Sequence, residues 1–296
     1  MKIVIIGSGG RLGAALVREW KRAGDDIIGF NHAALDVGDW RAVWAALEPI
    51  EFDVLVNCAA LTNVDYCEAH EEEAFRINAA APITLADLCA RKGARMIHIS
   101  TDYVFDGEKR TPYVEEDATN PLGFYAASKR SGEHALLTNW PQHLVARLSW
   151  VFGPDRPSFV DQILKRALEN KDLAAIADKI AVPTYTLDVA QWLRPFLAEV
   201  REGGLLHLCN AGSCSWQEYG QFAIDCAVAA GVPLKGRVVA PQKMADLKAF
   251  VAQRPVYTVM STAKLTRLTG LTPRSWQDAL EDYMRHAWIP ANVPGL

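Results

Sequence analysis

Apolar residues along this chain come in short unbroken runs separated by longer stretches with helical spacing. The first run is Lys2-Ile3-Val4-Ile5-Ile6, and comparable runs lie at 26–30, 54–57, 95–100 and 144–150. A strand with one buried face alternates apolar and polar residues, whereas a continuous run belongs to a strand covered on both faces of a parallel sheet. Between the runs, 40–47, 71–91 and 125–138 carry apolar positions at helical spacing, the stripe of an amphipathic helix. Strand and helix alternate, which predicts an α/β fold with a doubly wound parallel sheet. Right-handed crossovers bring the C-terminal end of every strand to one edge, so the segments at 7–13, 58–60 and 100–102 share one crevice.

The first of these segments is Gly7-Ser8-Gly9-Gly10-Arg11-Leu12-Gly13, leading into the helix-like Ala14-Ala15-Leu16-Val17. Glycines at 7, 10 and 13, between a buried strand and a helix, let the backbone approach a pyrophosphate while the helix N-terminus offers N–H groups and positive dipole. Residues 1–150 are therefore predicted to form a dinucleotide-binding Rossmann domain. Past Trp150 the texture changes, with Gly153-Pro154, Pro157, Pro183, Gly203-Gly204 and Gly212 breaking the chain into shorter pieces. This predicts a smaller, mixed C-terminal domain over 151–296, mainly for substrate, with the helix-like part of 184–200 packing back on the first domain.

Composition narrows the function classes. A chain of 296 residues divides into about two domains. A net charge of −4 and a pI near 6.0 leave no electrostatic footprint for nucleic acid or an anionic membrane. No stretch is apolar enough to span a bilayer, and Met1-Lys2 passes directly into a strand where a signal peptide would need an apolar core. The six cysteines, at 58, 67, 89, 209, 214 and 226, form no C-x-x-C pair, which predicts reduced thiols in a cytoplasmic protein and not disulfides or zinc. His32, His98 and His134 show no metal spacing, and no metal is expected. Acidic residues are spread too evenly to nominate an interface, so a homodimer stands beside the monomer as a candidate assembly.

Reactive side chains enter at Tyr125 and Lys129, downstream of Ser100-Thr101-Asp102. Four residues are about one helical turn, so phenol and ammonium act on one small volume. A nearby cation favours phenolate, which predicts a lowered Tyr125 pKa and a proton donor for carbonyl reduction.

These residues carry a family resemblance that runs nearly end to end. Gly7 to Gly13, Leu35-Asp36-Val37, Asn57 to Asp65, His98 to Gly107, Pro121-Leu122 with Tyr125, Ser128-Lys129, Arg147 to Gly153, Pro183-Thr184, Ser215-Trp216 and Arg254-Pro255 all take part. The chain resembles the extended short-chain dehydrogenase/reductases, and within them the dTDP-4-dehydrorhamnose reductase family. The resemblance implies reduction of the C4 ketone of a dTDP sugar, with Thr101 holding the carbonyl, Tyr125 as acid, and Lys129 tuning Tyr125 and binding the nicotinamide ribose. It implies that Gly7, Gly10, Arg11, Leu12 and Gly13 meet the pyrophosphate and Asp36 and Val37 the adenine. Ala59, Ala60 and Leu61 would lie beside the adenosine and ribose, and Thr101, Asp102, Trp150 and Arg254 would meet the sugar nucleotide. Asp36 has a second reading as N-cap of the helix near Trp40, and Trp150 one as the end of a buried strand.

Several positions depart from the family pattern. Lys179 stands where glutamine is usual, Thr258 where serine is usual, and Tyr66 where many relatives carry lysine. Two alternatives therefore stay open: a reductase or epimerase of another nucleotide sugar, and a regulatory subunit resembling that of methionine adenosyltransferase. The latter branch has Ser-Ser-Asp at Ser100-Thr101-Asp102. For the cofactor, the second strand ends in Phe30-Asn31-His32, which supplies neither a carboxylate for NADH nor a fixed cation for NADPH. Arg11 is the cation placed to reach a 2′-phosphate, so NADPH is favoured, with NADH as the alternative.

Overall fold

The computed structural model describes residues 1–170, 172–198 and 203–293. Its main sheet joins β1 (Lys2–Ile6), β2 (Asp26–Phe30), β3 (Val54–Asn57), β4 (Arg95–Thr101) and β5 (Leu144–Leu148) with a sixth strand at Gly204–Leu208. The order is Gly204–Leu208, β5, β4, β3, β1, β2, and all pairings are parallel. The unbroken apolar runs have the cause expected of them, because both faces are covered. Ile3, Ile5, Val54, Val56 and Ile97 pack on one side with Leu16 and Trp20 of α1 (Arg11–Arg22). Val4, Ile6, Leu55 and Met96 pack on the other with Val43 and Leu47 of α2 (Trp40–Leu47). Strand order reverses between β1 and β3, since β2 is added on one side of β1 and β3 on the other, the switch point where open α/β sheets bind ligands.

On the second face, α3 (Val64–Ala69) and α4 (Glu71–Phe75) are followed by a π-turn at Arg76–Ala80 and then α5 (Ala81–Lys92), where one helix was expected over 71–91. The π-turn sets Asn78 beside α6 (Phe124–Asn139), and no Cβ fits at Gly132, where it would lie 2.4 Å from the Asn78 carbonyl oxygen. The sixth strand is absent from the sequence reading, since Gly203-Gly204 reads as a break and His207 interrupts its apolar run.

The later half has its own core. Phe152, Val160, Ile163 and Leu164 pack with Tyr219, Ala223 and Ile224 of Trp216–Ala229 and with Trp276 and Leu280 of Trp276–Tyr283. Thr186–Leu193 lies on the main sheet against α1, with Trp20 Nε1 donating to the Ala190 carbonyl at 3.0 Å. Residues 199 and 200 of the predicted helix lie outside the described residues. Among the described residues no helix is long and apolar enough to cross a membrane.

Candidate active site

The glycine loop sits at the switch point. Gly7 has φ 78°, and its N–H and that of Ser8 both donate to the Phe30 carbonyl, at 2.8 and 3.0 Å. A Cβ at Gly7 would lie 2.7 Å from Ala59 N, and one at Gly13 2.2 Å from the Gly7 carbonyl oxygen. Loop, helix and the segment after β3 therefore close to backbone distance. A Cβ at Gly10 would lie 3.2 Å from the Gly7 carbonyl oxygen, and no side chain caps α1, so its first N–H groups are left for an anion. This cradle fits the pyrophosphate of a dinucleotide.

Ala59 to Leu61 are held by side chains beneath them. Asn57 Oδ1 accepts from Ala59 N at 3.0 Å, and Asn78 Oδ1 accepts from Leu61 N at 2.8 Å. Asn78 Nδ2 also donates to the Leu61 carbonyl and to Ser128 Oγ, tying this segment to α6. Val37 is buried. Asp36 does not cap α2. Asp39 does so, accepting from Arg41 N and Ala42 N, while Asp36 accepts from Gly38 N at 2.9 Å and pairs with Arg76 at 3.4 Å.

A cavity of about 480 Å³ runs from Gly10, Arg11 and Leu12 past Cys58 and Ala60 to Thr101, Asp102, Tyr125 and Lys129, and ends against Trp150, Phe159 and Trp216. Thr101 ends β4, and Tyr125 and Lys129 share one face of α6. Thr101 Oγ1 donates to Asp102 Oδ1 at 3.2 Å, and Ser149 Oγ donates to Asp102 Oδ2 at 2.7 Å. Burial pushes the Asp102 carboxyl above its usual range, with Lys179 opposing. Burial also raises Tyr125, and a hydrogen bond with Thr101 acts the other way. The expected lowering by Lys129 does not occur. The Lys129 ammonium turns to the Ile99 carbonyl at 2.6 Å and stands 3.5 Å from His98 Nε2. Burial lowers it to about 8, against the opposing charges of Glu133 and Cys58.

Trp150 lies past the end of β5, whose predicted span to residue 150 stops at Leu148. Its φ of 41° is the sole positive value among described non-glycine residues, a strained conformation that breaks the strand. The ring lands on the later half's aromatic cluster, 5.4 Å from Trp216 and 4.7 Å from Tyr219. Arg254 does not line the cavity. It pairs with Asp65 at 2.5 Å and stacks on Phe250 at 3.7 Å, fastening the 250–255 segment to α3. Arg11 borders the cavity, yet its guanidinium is engaged by the carbonyls of Arg156 and Pro157, near the charge of Asp161.

The model of the RmlD substrate binding domain matches residues 1–288. The chain belongs to the dTDP-4-dehydrorhamnose reductase family. It is 35% identical to a dTDP-4-dehydrorhamnose reductase of Mycobacterium tuberculosis, over 100% of this chain and 95% of that one. It is 37% identical to a probable dTDP-4,6-dihydroxy-2-methyloxan-3-one 4-ketoreductase of Streptomyces antibioticus, over 95% and 94% of the two chains. A Bacillus anthracis dTDP-4-dehydrorhamnose reductase, solved in complex with NADP, superposes with a TM-score of 0.88 at 29% identity, covering 96% of this chain and 98% of that one. Membership makes this chain an oxidoreductase of a family that uses NAD(P)H.

Against the family pattern, the departures at 179 and 66 fall in different places. Lys179 lines the cavity, 2% exposed, with its ammonium 4.7 Å above the Tyr103 ring and donating to the Pro255 carbonyl. Burial lowers it to about 8, with Asp102 acting against the shift. Tyr66 is 39% exposed and donates to Glu73 at 2.8 Å, outside the cavity lining. Sequence reasoning missed His98, Phe159 and Trp216 as parts of the site. His98 was readable from its place two residues before Ser100 on β4, whereas Phe159 and Trp216 come from segments that only folding brings to the crevice.

Proposed function

We propose that this protein reduces the C4 ketone of dTDP-4-dehydro-L-rhamnose to give dTDP-L-rhamnose. The observation that carries the reading is the convergence of Thr101, Tyr125 and Lys129 in one cavity that opens on the glycine cradle. Bound NAD(P)H supplies the hydride. As charge builds on the ketone oxygen, the Thr101 hydroxyl donates a hydrogen bond to it and the Tyr125 phenol gives up its proton. Burial keeps that phenol protonated until the oxygen needs it. Lys129, anchored on the Ile99 carbonyl, holds the nicotinamide ribose. Gly7, Gly10, Arg11, Leu12 and Gly13 take the pyrophosphate, Asp36 and Val37 the adenine, and Ala59 to Leu61 the adenosine side. Asp102 and the aromatic wall of Trp150, Phe159 and Trp216 receive the sugar nucleotide, whose flat base suits stacking. Arg254, paired with Asp65 outside the cavity lining, fastens the 250–255 segment.

A second reading, reduction of another nucleotide sugar, rests on the buried Lys179 in the cavity wall. The experiment is NADPH and NADH oxidation with dTDP-4-dehydro-L-rhamnose, with Tyr125→Phe as control. Loss of the proton donor lowers turnover about a hundredfold or more. Near-wild-type turnover in the mutant removes Tyr125 from its role, and no oxidation in a protein that binds cofactor moves the reading to another sugar.

A further inference from the structure

The cofactor reading leaves the choice between NADPH and NADH to the surroundings of the adenosine ribose. In a dinucleotide-binding βαβ unit the 2′ position of that ribose lies between the glycine loop and the end of the second strand. Here those are Gly9 and Asn31, so close that a Cβ built on Gly9 would lie 3.2 Å from Asn31 Cβ. Arg156 reaches this spot from the later half of the chain. Its Nε donates to the Gly9 carbonyl at 2.9 Å, and its Nη2 lies 3.8 Å from the same built Cβ.

Resting on the NAD(P)H reading, we propose that Arg156 binds the 2′-phosphate and makes this enzyme select NADPH. Three observations carry the assignment. First, the guanidinium is exposed and engages no carboxylate among the described residues, since the neighbouring Asp155 is taken by Arg18. Its Nη groups therefore remain free to fork onto a phosphate, the geometry at which arginine excels. Second, no acidic residue ends β2, so no carboxylate there recognises an unmodified 2′-hydroxyl or repels a phosphate. Third, the loop that carries Arg156 is fixed in advance. Arg11 holds the carbonyls of Arg156 and Pro157, Arg18 holds Asp155, and Ser158 opens Phe159–Glu169 with a capping box closed by Asp161. Little ordering entropy is left to lose when the phosphate arrives. The role that sequence reasoning gave Arg11 thus passes to Arg156, with Arg11 acting as the strut beneath it.

The test is calorimetric titration of cofactor-free protein with NADPH, NADH, 2′,5′-ADP and 5′-ADP, for wild type, Arg156→Ala and Arg156→Lys. Wild type is expected to prefer NADPH over NADH and 2′,5′-ADP over 5′-ADP. Arg156→Ala is expected to lower the NADPH to NADH affinity ratio about 10- to 100-fold, the worth of a charge-assisted hydrogen bond pair, with Arg156→Lys between the two. An unchanged ratio would overturn the proposal, whether affinities hold or fall together, because equal losses mean that Arg156 only braces Gly9. A wild-type preference for NADH would overturn it too. Failure of wild type to bind either dinucleotide would instead remove the cofactor reading on which it rests.

Discussion

The two walls of the crevice are made of different material. On the dinucleotide side, Gly7 to Gly13 and Ala59 to Leu61 present backbone, and the deciding distances are between main-chain atoms, such as Gly7 against Ala59. On the facing side, Asp102, Lys179, Trp150 and Trp216 present side chains from four separate segments, with two buried ionisable groups and one strained backbone. The first wall holds a part common to all dinucleotides and tolerates changes that leave the backbone path alone. Under the proposed function the second wall meets the sugar nucleotide, and it would do so with buried charge, which is sensitive to every neighbour.

The sharpest way to break this contrast is to add one methyl group to the backbone wall. Gly7→Ala places a Cβ 2.7 Å from Ala59 N at φ 78°, where neither atom belongs to a flexible side chain. The strain is expected to cost about 2 kcal/mol of stability and to misplace the loop, seen as a lower urea midpoint and weaker NADPH binding. A protein with wild-type midpoint and affinity would mean that the cradle yields, and that the walls differ less than their geometry says.

A second test separates the walls by pH. Burial puts the folded Lys129 near 8, below the 10.5 of the unfolded chain. Between these values the unfolded state binds more protons, so this group's contribution makes stability rise with pH. Activity moves the opposite way: with the Lys129 ammonium required, kcat/KM falls above pH about 8, by roughly tenfold per unit. Lys179 also titrates near 8, so the profile is taken in Lys179→Gln as well. The alkaline limb is expected to persist there, and its disappearance would assign it to the sugar wall.

Most of the backbone wall was legible in the sequence, and most of the other was not. β1 and β3 lie where apolar runs do, because Ile3 to Ile6 and Val54 to Asn57 are buried on both faces, whereas β2, at the sheet edge, has Asp26 and Gly29 exposed and only Ile27 fully buried. Glycines at 7, 10 and 13 placed the cradle, since only a backbone without Cβ can close on itself at that distance. β5 was drawn too long because Trp150 is apolar, and nothing in a one-letter pattern marks the φ of 41° that turns it out of the sheet. The sign of the Tyr125 shift was also missed. Spacing brings a lysine near, but whether its ammonium faces the phenol or the Ile99 carbonyl depends on β4. Lys179 did carry a signal, as a charge where the family has an amide.

Lys179→Gln sharpens the contrast from the sugar side. If the ammonium meets substrate, KM for the nucleotide sugar rises about tenfold, while NADPH affinity stays at the wild-type value. Unchanged KM would reduce Lys179 to a tie for the Pro255 segment, and a matching loss of cofactor affinity would erase the division between walls.

The smallest expected effect lies within the dinucleotide wall, between two aspartates three residues apart. Asp39 caps α2 through two backbone N–H groups, so Asp39→Ala is expected to cost about 1 kcal/mol and leave NADPH affinity alone. Asp36 closes a turn on Gly38 and meets Arg76 at the surface, so Asp36→Ala is expected to cost less than about 0.5 kcal/mol while weakening NADPH binding through the adenine. Measured side by side, urea midpoint and cofactor affinity move in opposite columns for the two variants. If Asp36→Ala instead lowered the midpoint and spared the affinity, its carboxylate would be a structural turn former, and adenine recognition would fall to Val37 and the backbone, making this wall still more exclusively main chain.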